Sequence, residues 1–132
     1  MEKVINYLKC GISVIGTVFT YLFGSWDKAL IVLITFMALD YITGIIKAWY
    51  KKELSSDTGL HGLARKGSIL IVLIIAVLLD RLINEGTWVF RTLVCYFYIA
   101  NEGISILENI AVLNVPFPAK IKEVLIQLQE KE

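Results

Sequence analysis

The stretch from Trp88 to Pro118, WVFRTLVCYFYIANEGISILENIAVLNVPFP, decides how this chain is read. It is apolar enough to lie in a bilayer, yet it carries Arg91, Asn101, Glu102, Glu108 and Asn109. Stepping by threes and fours, Arg91, Cys95, Tyr98, Glu102, Ser105 and Asn109 fall on one helical face, with Asn101 and Glu108 on the bordering diagonal. Helix rise separates Arg91 from Asn109 by roughly 27 Å, close to the depth of a hydrocarbon core of about 30 Å. A polar stripe of that length must face other helices or water.

The composition agrees with a membrane setting. Of 132 residues 57% are hydrophobic and 19% charged, against roughly 45–50% and 25% in soluble domains. Mean hydropathy is +0.69. A net charge of +1, with no basic run interleaved with aromatics, offers nothing to nucleic acid. Cys10 and Cys95 both lie in apolar segments and read as free buried thiols, and the single His61 is too little for a metal site.

Working outward, Val4–Phe23 is a first apolar segment interrupted by Asn6 and Lys9. It reads as retained rather than as a cleaved signal, because Trp26-Asp27 follows where a small-residue cleavage site would stand. Gly16, Thr20 and Gly24 are spaced four apart, a pattern that lets a neighbouring membrane helix approach closely. Ala29–Tyr50 is long enough to span despite Asp40 near its middle. A central Asp costs roughly 2.5–3.5 kcal/mol, which about ten large apolar residues offset. Asp40, Thr43, Gly44 and Lys47 share one face.

Lys51–Lys66, KKELSSDTGLHGLARK, reads as the one long hydrophilic loop. Lys47, Lys51, Lys52, Arg65 and Lys66 read as topology determinants and headgroup contacts, which puts the 51–66 loop in the cytoplasm. Gly67–Ile83 is the most apolar run, ending at Asp80-Arg81. Asp80 reads as interfacial. At Asn114–Pro118 the helix is expected to break, with Asn114 taking the left-handed cap. Ala119–Glu132 then forms a charged amphipathic helix on the membrane surface or against its neighbours.

The fold class is therefore an all-α integral membrane protein, with three to four transmembrane helices and a short C-terminal amphipathic helix. One membrane domain covers 1–132, with candidate spans 4–24, 29–50, 67–83 and 88–112 and a cytoplasmic tail 116–132. If 4–24 only lies at the interface, the spans number three and the N-terminus is outside. Inside the bundle, Arg91 sits too far toward the external side to reach Asp40, so Glu102 or Asp80 of a neighbouring chain is its expected partner.

A set of short motifs, in order, resembles the bacteriophage holins of the group that also includes clostridial toxin-secretion holins. It runs Asp40-Tyr-Ile-Thr-Gly44-Ile-Ile-Lys47-Ala48, Leu54-Ser55-Ser56, Gly59-Leu-His-Gly62-Leu-Ala-Arg65-Lys66 and Leu79-Asp80. It closes with Asn101-Glu102-Gly-Ile-Ser105-Ile-Leu107-Glu-Asn109 and Pro116-Phe-Pro118, so that it covers roughly Ala29 to Leu128. Asn114 stands where relatives usually have Gly. The next methionine after Met1 is Met37, inside a span, which argues against a second start that would make an inhibitor form.

The resemblance implies a non-enzymatic, self-assembling lesion in the bacterial host cytoplasmic membrane that releases an endolysin or toxin and triggers lysis. Its partners would be copies of itself, membrane lipids, the endolysin or toxin as cargo, and an antiholin. No cofactor, metal or nucleic acid is called for. On this reading Asp40, Arg91, Tyr98, Asn101, Glu102, Ser105, Glu108 and Asn109 form the pore or polar helix–helix face, and Gly16, Thr20, Gly24 and Gly44 the packing positions. The alternatives are a small proton-coupled multidrug transporter, a membrane channel, or an adaptor whose polar stripe only knits a bundle together. The transporter is disfavoured because such exporters rely on an acid in the first helix, and Val4–Phe23 has none.

Overall fold

Gly24 ends the first helix, α1 (Glu2–Phe23), at φ +94°, with its amide on the Thr20 carbonyl at 2.8 Å. A side chain there would also collide with Arg91, whose Nε lies 2.5 Å from where a Cβ would stand. Asp27 then accepts the Leu30 amide at 3.0 Å and starts α2 (Lys28–Tyr50). This computed structural model describes residues 1–130, so Lys131 and Glu132 of the expected tail lie outside the described residues. The described chain is all α-helical, in line with the expected class.

The third helix departs from expectation. The expected hydrophilic loop, with Gly59 and Gly62 in it, reaches to Lys66, but α3 runs from Ser56 to Ile83. Ser55 accepts the Thr58 amide at 3.1 Å and supplies the cap that the loop reading overlooked. The two glycines face Tyr41 of α2, whose ring carbons lie 3.3–3.4 Å from where a Gly62 Cβ would be. Close helix approach thus offsets the roughly 1 kcal/mol that each helical glycine loses. The connection shrinks to 51–55, with Lys52 at φ 59° closing α2.

α4 (Phe90–Val112) is the central helix, in contact with α2, α3 and α5. Its end follows expectation. Asn114 sits at φ 62°, its amide on the Ala111 carbonyl at 3.0 Å and the Val115 amide on Ile110 at 3.2 Å, a Schellman closure. After the Pro-x-Pro turn, α5 (Ala119–Glu130) doubles back along α4. Leu125 lies over Gly103, and Gln129 Nε2 donates to Asn101 Oδ1 at 2.7 Å. Of the two placements open to this helix, packing against neighbours is the observed one.

The core interleaves Leu30, Leu33 and Met37 of α2 with Ile69, Leu73 and Val77 of α3 and Cys95 and Ile99 of α4, capped by Phe23. The outward faces stay apolar, with Ile31, Ile42, Ile71, Ile75 and Leu82 exposed, as lipid-facing helices require. By length and composition α1, α2 and α3 are each able to cross a membrane. α4 falls outside that group because its interior polar face lowers its hydropathy. α1 leans on the bundle only through its last turns. Arg81 Nη2 donates to the Tyr21 carbonyl at 2.9 Å, and Phe19 stacks on Trp26 at 4.9 Å.

Candidate functional site

Three helices converge on one ionic centre. Asp40 of α2 and Glu102 of α4 both pair with the Lys66 ammonium of α3. The two acids are buried, Glu102 at 1% exposure. Asn109 extends the centre by one turn, donating from Nδ2 to Asp40 Oδ1 at 3.1 Å and to Thr43 Oγ1 at 2.9 Å. Gly44 lies beside this amide, where a Cβ would meet Asn109 Nδ2 in ordinary contact at 3.7 Å.

A second polar layer closes the opposite end. Arg91, 2% exposed, donates Nε to the Phe23 carbonyl at 2.7 Å and Nη2 to the Ser25 carbonyl at 2.9 Å. Its guanidinium also grips Asp27, at 2.8 Å from Nη1 and 3.0 Å from Nη2. The expected partners Glu102 and a neighbouring chain's Asp80 are therefore replaced by Asp27 and two carbonyls of the α1–α2 connection. The hydrogen bond from Arg91 is the main reason that the Asp27 carboxyl titrates below its ordinary 3.8. Asp80, near the end of α3, is fully buried within the protein. It takes the Phe90 amide at 2.9 Å, the Arg91 amide at 2.8 Å and Asn84 Nδ2 at 2.9 Å.

The polar stripe of α4 is thus satisfied within one protomer. Among the described residues, no buried side-chain nitrogen or oxygen lacks a partner. Tyr98 packs half-buried against the core and Ser105 lines a cleft beside Asp40, whereas Glu108 points away, exposed. Of the packing positions, Gly24 and Gly44 meet Arg91 and Asn109. Gly16 has nothing within 4 Å of its Cβ position, and Thr20 is exposed. Cys10 is exposed and Cys95 buried, both free.

With this geometry in place, the comparison with known proteins is direct: residues 17–130 match the bacteriophage holin family. The chain belongs to the bacteriophage holin family. A probable holin of Bacillus phage phi105 is 42% identical over 104 residues, 78% of this chain and 75% of that protein. An uncharacterized Clostridium perfringens protein is 58% identical over the full length of both chains, and one from Clostridium acetobutylicum is 48% identical over 85% of this chain and 90% of its own. No solved structure matches. The family match spans the Asp40–Lys66–Glu102 centre and the Arg91 layer alike, and the chain is a membrane protein of this holin family.

Several residues of this holin's polar centre escaped the sequence reading. Lys66 reads as a boundary charge for as long as 51–66 reads as loop; with α3 starting at Ser56, it becomes an interior position. Asp27 lies in the short α1–α2 connection, 64 positions from the Arg91 it pairs with. The signal for Asp80 was present in the chain. Val89 precedes α4 and cannot cap it, so the first amides of a buried helix end needed an acceptor from elsewhere.

Proposed function

We propose that this holin assembles with copies of itself in the bacterial host cytoplasmic membrane and opens lesions through which an endolysin or toxin leaves, so that lysis follows. The action is mechanical and requires no catalysis. The observation that carries the reading is the Lys66 bridge between Asp40 and Glu102, which holds three helices by buried charge. A buried ion pair is poor at adding stability but severe when broken, so it suits an all-or-none element. In the resting protomer it conceals the polar stripe. In the assembled state the same face turns to water, which relieves the desolvation of these groups.

In this arrangement α1, α2, α3 and α4 span, α4 crossing with its polar face shielded by α2 and α3. The basic connection at Lys51 and Lys52, with the first turns of α3, and the C-terminus lie on the cytoplasmic side, following the positive-inside rule. The weakly attached α1, with its open Gly16–Thr20 face, is the element for self-association. An antiholin would act by occupying that face.

Size-graded release from liposomes tests the reading. Escape of folded-protein-sized cargo is expected. Passage of ions alone, or proton-driven solute accumulation without leakage, would replace the lesion with a channel or a transporter. Intact vesicles at high protein density would leave a membrane adaptor.

A further inference from the structure

Between α2 and the first turns of α3 lies a cleft of about 300 Å³. Lys47, His61 and Arg65 line it toward the bundle end, and Lys66, Asp40 and Asn109 line its buried side. Asp40 is the one acid in this lining, and it is already engaged by Lys66 and Asn109. Even with Glu102 counted beside Asp40 against Lys66, the cleft keeps positive charge in excess, on Lys47 and Arg65, which have no ion-pair partner among the described residues.

We propose that this cleft binds the phosphodiester headgroup of an anionic phospholipid. A phosphate would neutralise the surplus charge, with Arg65 presenting the planar fork that suits phosphate oxygens and Lys47 a point charge. The volume falls at the small end of the roughly 300–1,000 Å³ of ligand pockets, which suits a headgroup. Basic pockets between membrane helices at the aqueous margin are where such headgroups are held. The rim favours a lipid over free phosphate. Ile45 and Leu54 line the same cleft, Leu54 51% exposed, and offer apolar surface to acyl chains. Tyr41 fixes the cleft wall, its hydroxyl donating to the Gly59 carbonyl at 3.4 Å. The site would anchor the α2–α3 end beside the Lys66 bridge, and it needs only a membrane location, not hole formation.

The test uses the full chain in nanodiscs of phosphatidylcholine with or without phosphatidylglycerol, read by lipid retained in native mass spectrometry. Phosphatidylglycerol should be retained selectively. Lys47→Gln/Arg65→Gln should weaken that retention roughly 30-fold, as loss of two near-surface cations predicts. Lys120→Gln/Lys122→Gln, on α5 and outside the cleft, should retain it, and Lys47→Arg/Arg65→Lys should restore it. Circular dichroism on each variant checks that the helices persist. Equal retention by the cleft variant, or equal loss in the Lys120/Lys122 variant, would overturn the site. Competition by millimolar inorganic phosphate as effective as by lipid would overturn the lipid assignment. Unchanged cargo release from liposomes alongside lost lipid retention would still support the site, because the two activities are separable.

Discussion

The Asp80 carboxylate accepts the backbone amide of Arg91 at 2.8 Å, so that the end of α3 caps the start of α4. Helix-first amides are orphans unless something accepts them, and in this hairpin the acceptor comes from the preceding helix. Asp80→Ala strands the Phe90 and Arg91 amides in a buried site. It should lower stability by about 2–4 kcal/mol, more than an ordinary lost cap because two amides lose their acceptor. Asp80→Asn, keeping one acceptor oxygen, should lose less. Thermal unfolding in detergent measures both, and equal stability of all three proteins would remove the capping role.

Breaking the Lys66 bridge should matter more than abolishing it. Lys66→Met leaves two adjacent buried carboxylates and should destabilise the protomer by about 3–5 kcal/mol. Asp40→Leu/Lys66→Met/Glu102→Leu removes all the charges together and should recover most of that loss. If the bridge holds the resting state, Lys66→Met advances lysis and the triple variant delays or abolishes it. Asp40→Leu and Glu102→Leu alone should each shift timing while leaving insertion intact. Normal timing in both would sink the gating role.

The Arg91–Asp27 pair sets a pH dependence of known sign. The folded Asp27 carboxyl titrates below its ordinary 3.8, so its contribution is complete above that value and is lost as pH falls through the folded one. The Tm gap between wild type and Asp27→Asn should stay constant from about pH 7 to about pH 4.5 and close below that. Because Asp27 is partly exposed, the gap will be modest. A gap that widens on acidification would contradict the pairing.

Gly103 is where α5 docks. A Cβ there would fall 2.8–2.9 Å from the Leu125 methyls and 3.1 Å from Phe36. Gly103→Ala should therefore push α5 away, while Phe36 need shift only by a few tenths of an ångström for α2–α4 to stay packed. Trypsin cleavage at Lys120 and Lys122 is expected to quicken severalfold, and unchanged cleavage would mean that α5 is held by other contacts.

Gly16 offers the opposite case, a position with nothing within 4 Å. Gly16→Leu should leave the protomer's Tm unchanged yet reduce chemical crosslinking between copies and postpone lysis. Undiminished crosslinking would assign self-association to another face.

The chain's local chemistry was enough to define its helices and their surroundings. Apolar run length, the Trp88–Pro118 stripe and the left-handed Asn114 before Pro-x-Pro depend on neighbours in sequence, and each is legible there. The polar face on α4 was legible for the same reason, since helical periodicity alone aligns Arg91, Glu102 and Asn109. What the stripe faces was not. Its partners lie 11 to 69 positions away along the chain, and pairing at that range depends on how α2, α3 and α5 pack around α4. Gly59 and Gly62 show why local reading stopped short. As isolated residues they argue for a loop; the Ser55 cap is local, but the Tyr41 ring packed against them is visible only in the tertiary structure. With α3 reaching back to Ser56, Lys66 turns from a boundary charge into a member of the polar centre.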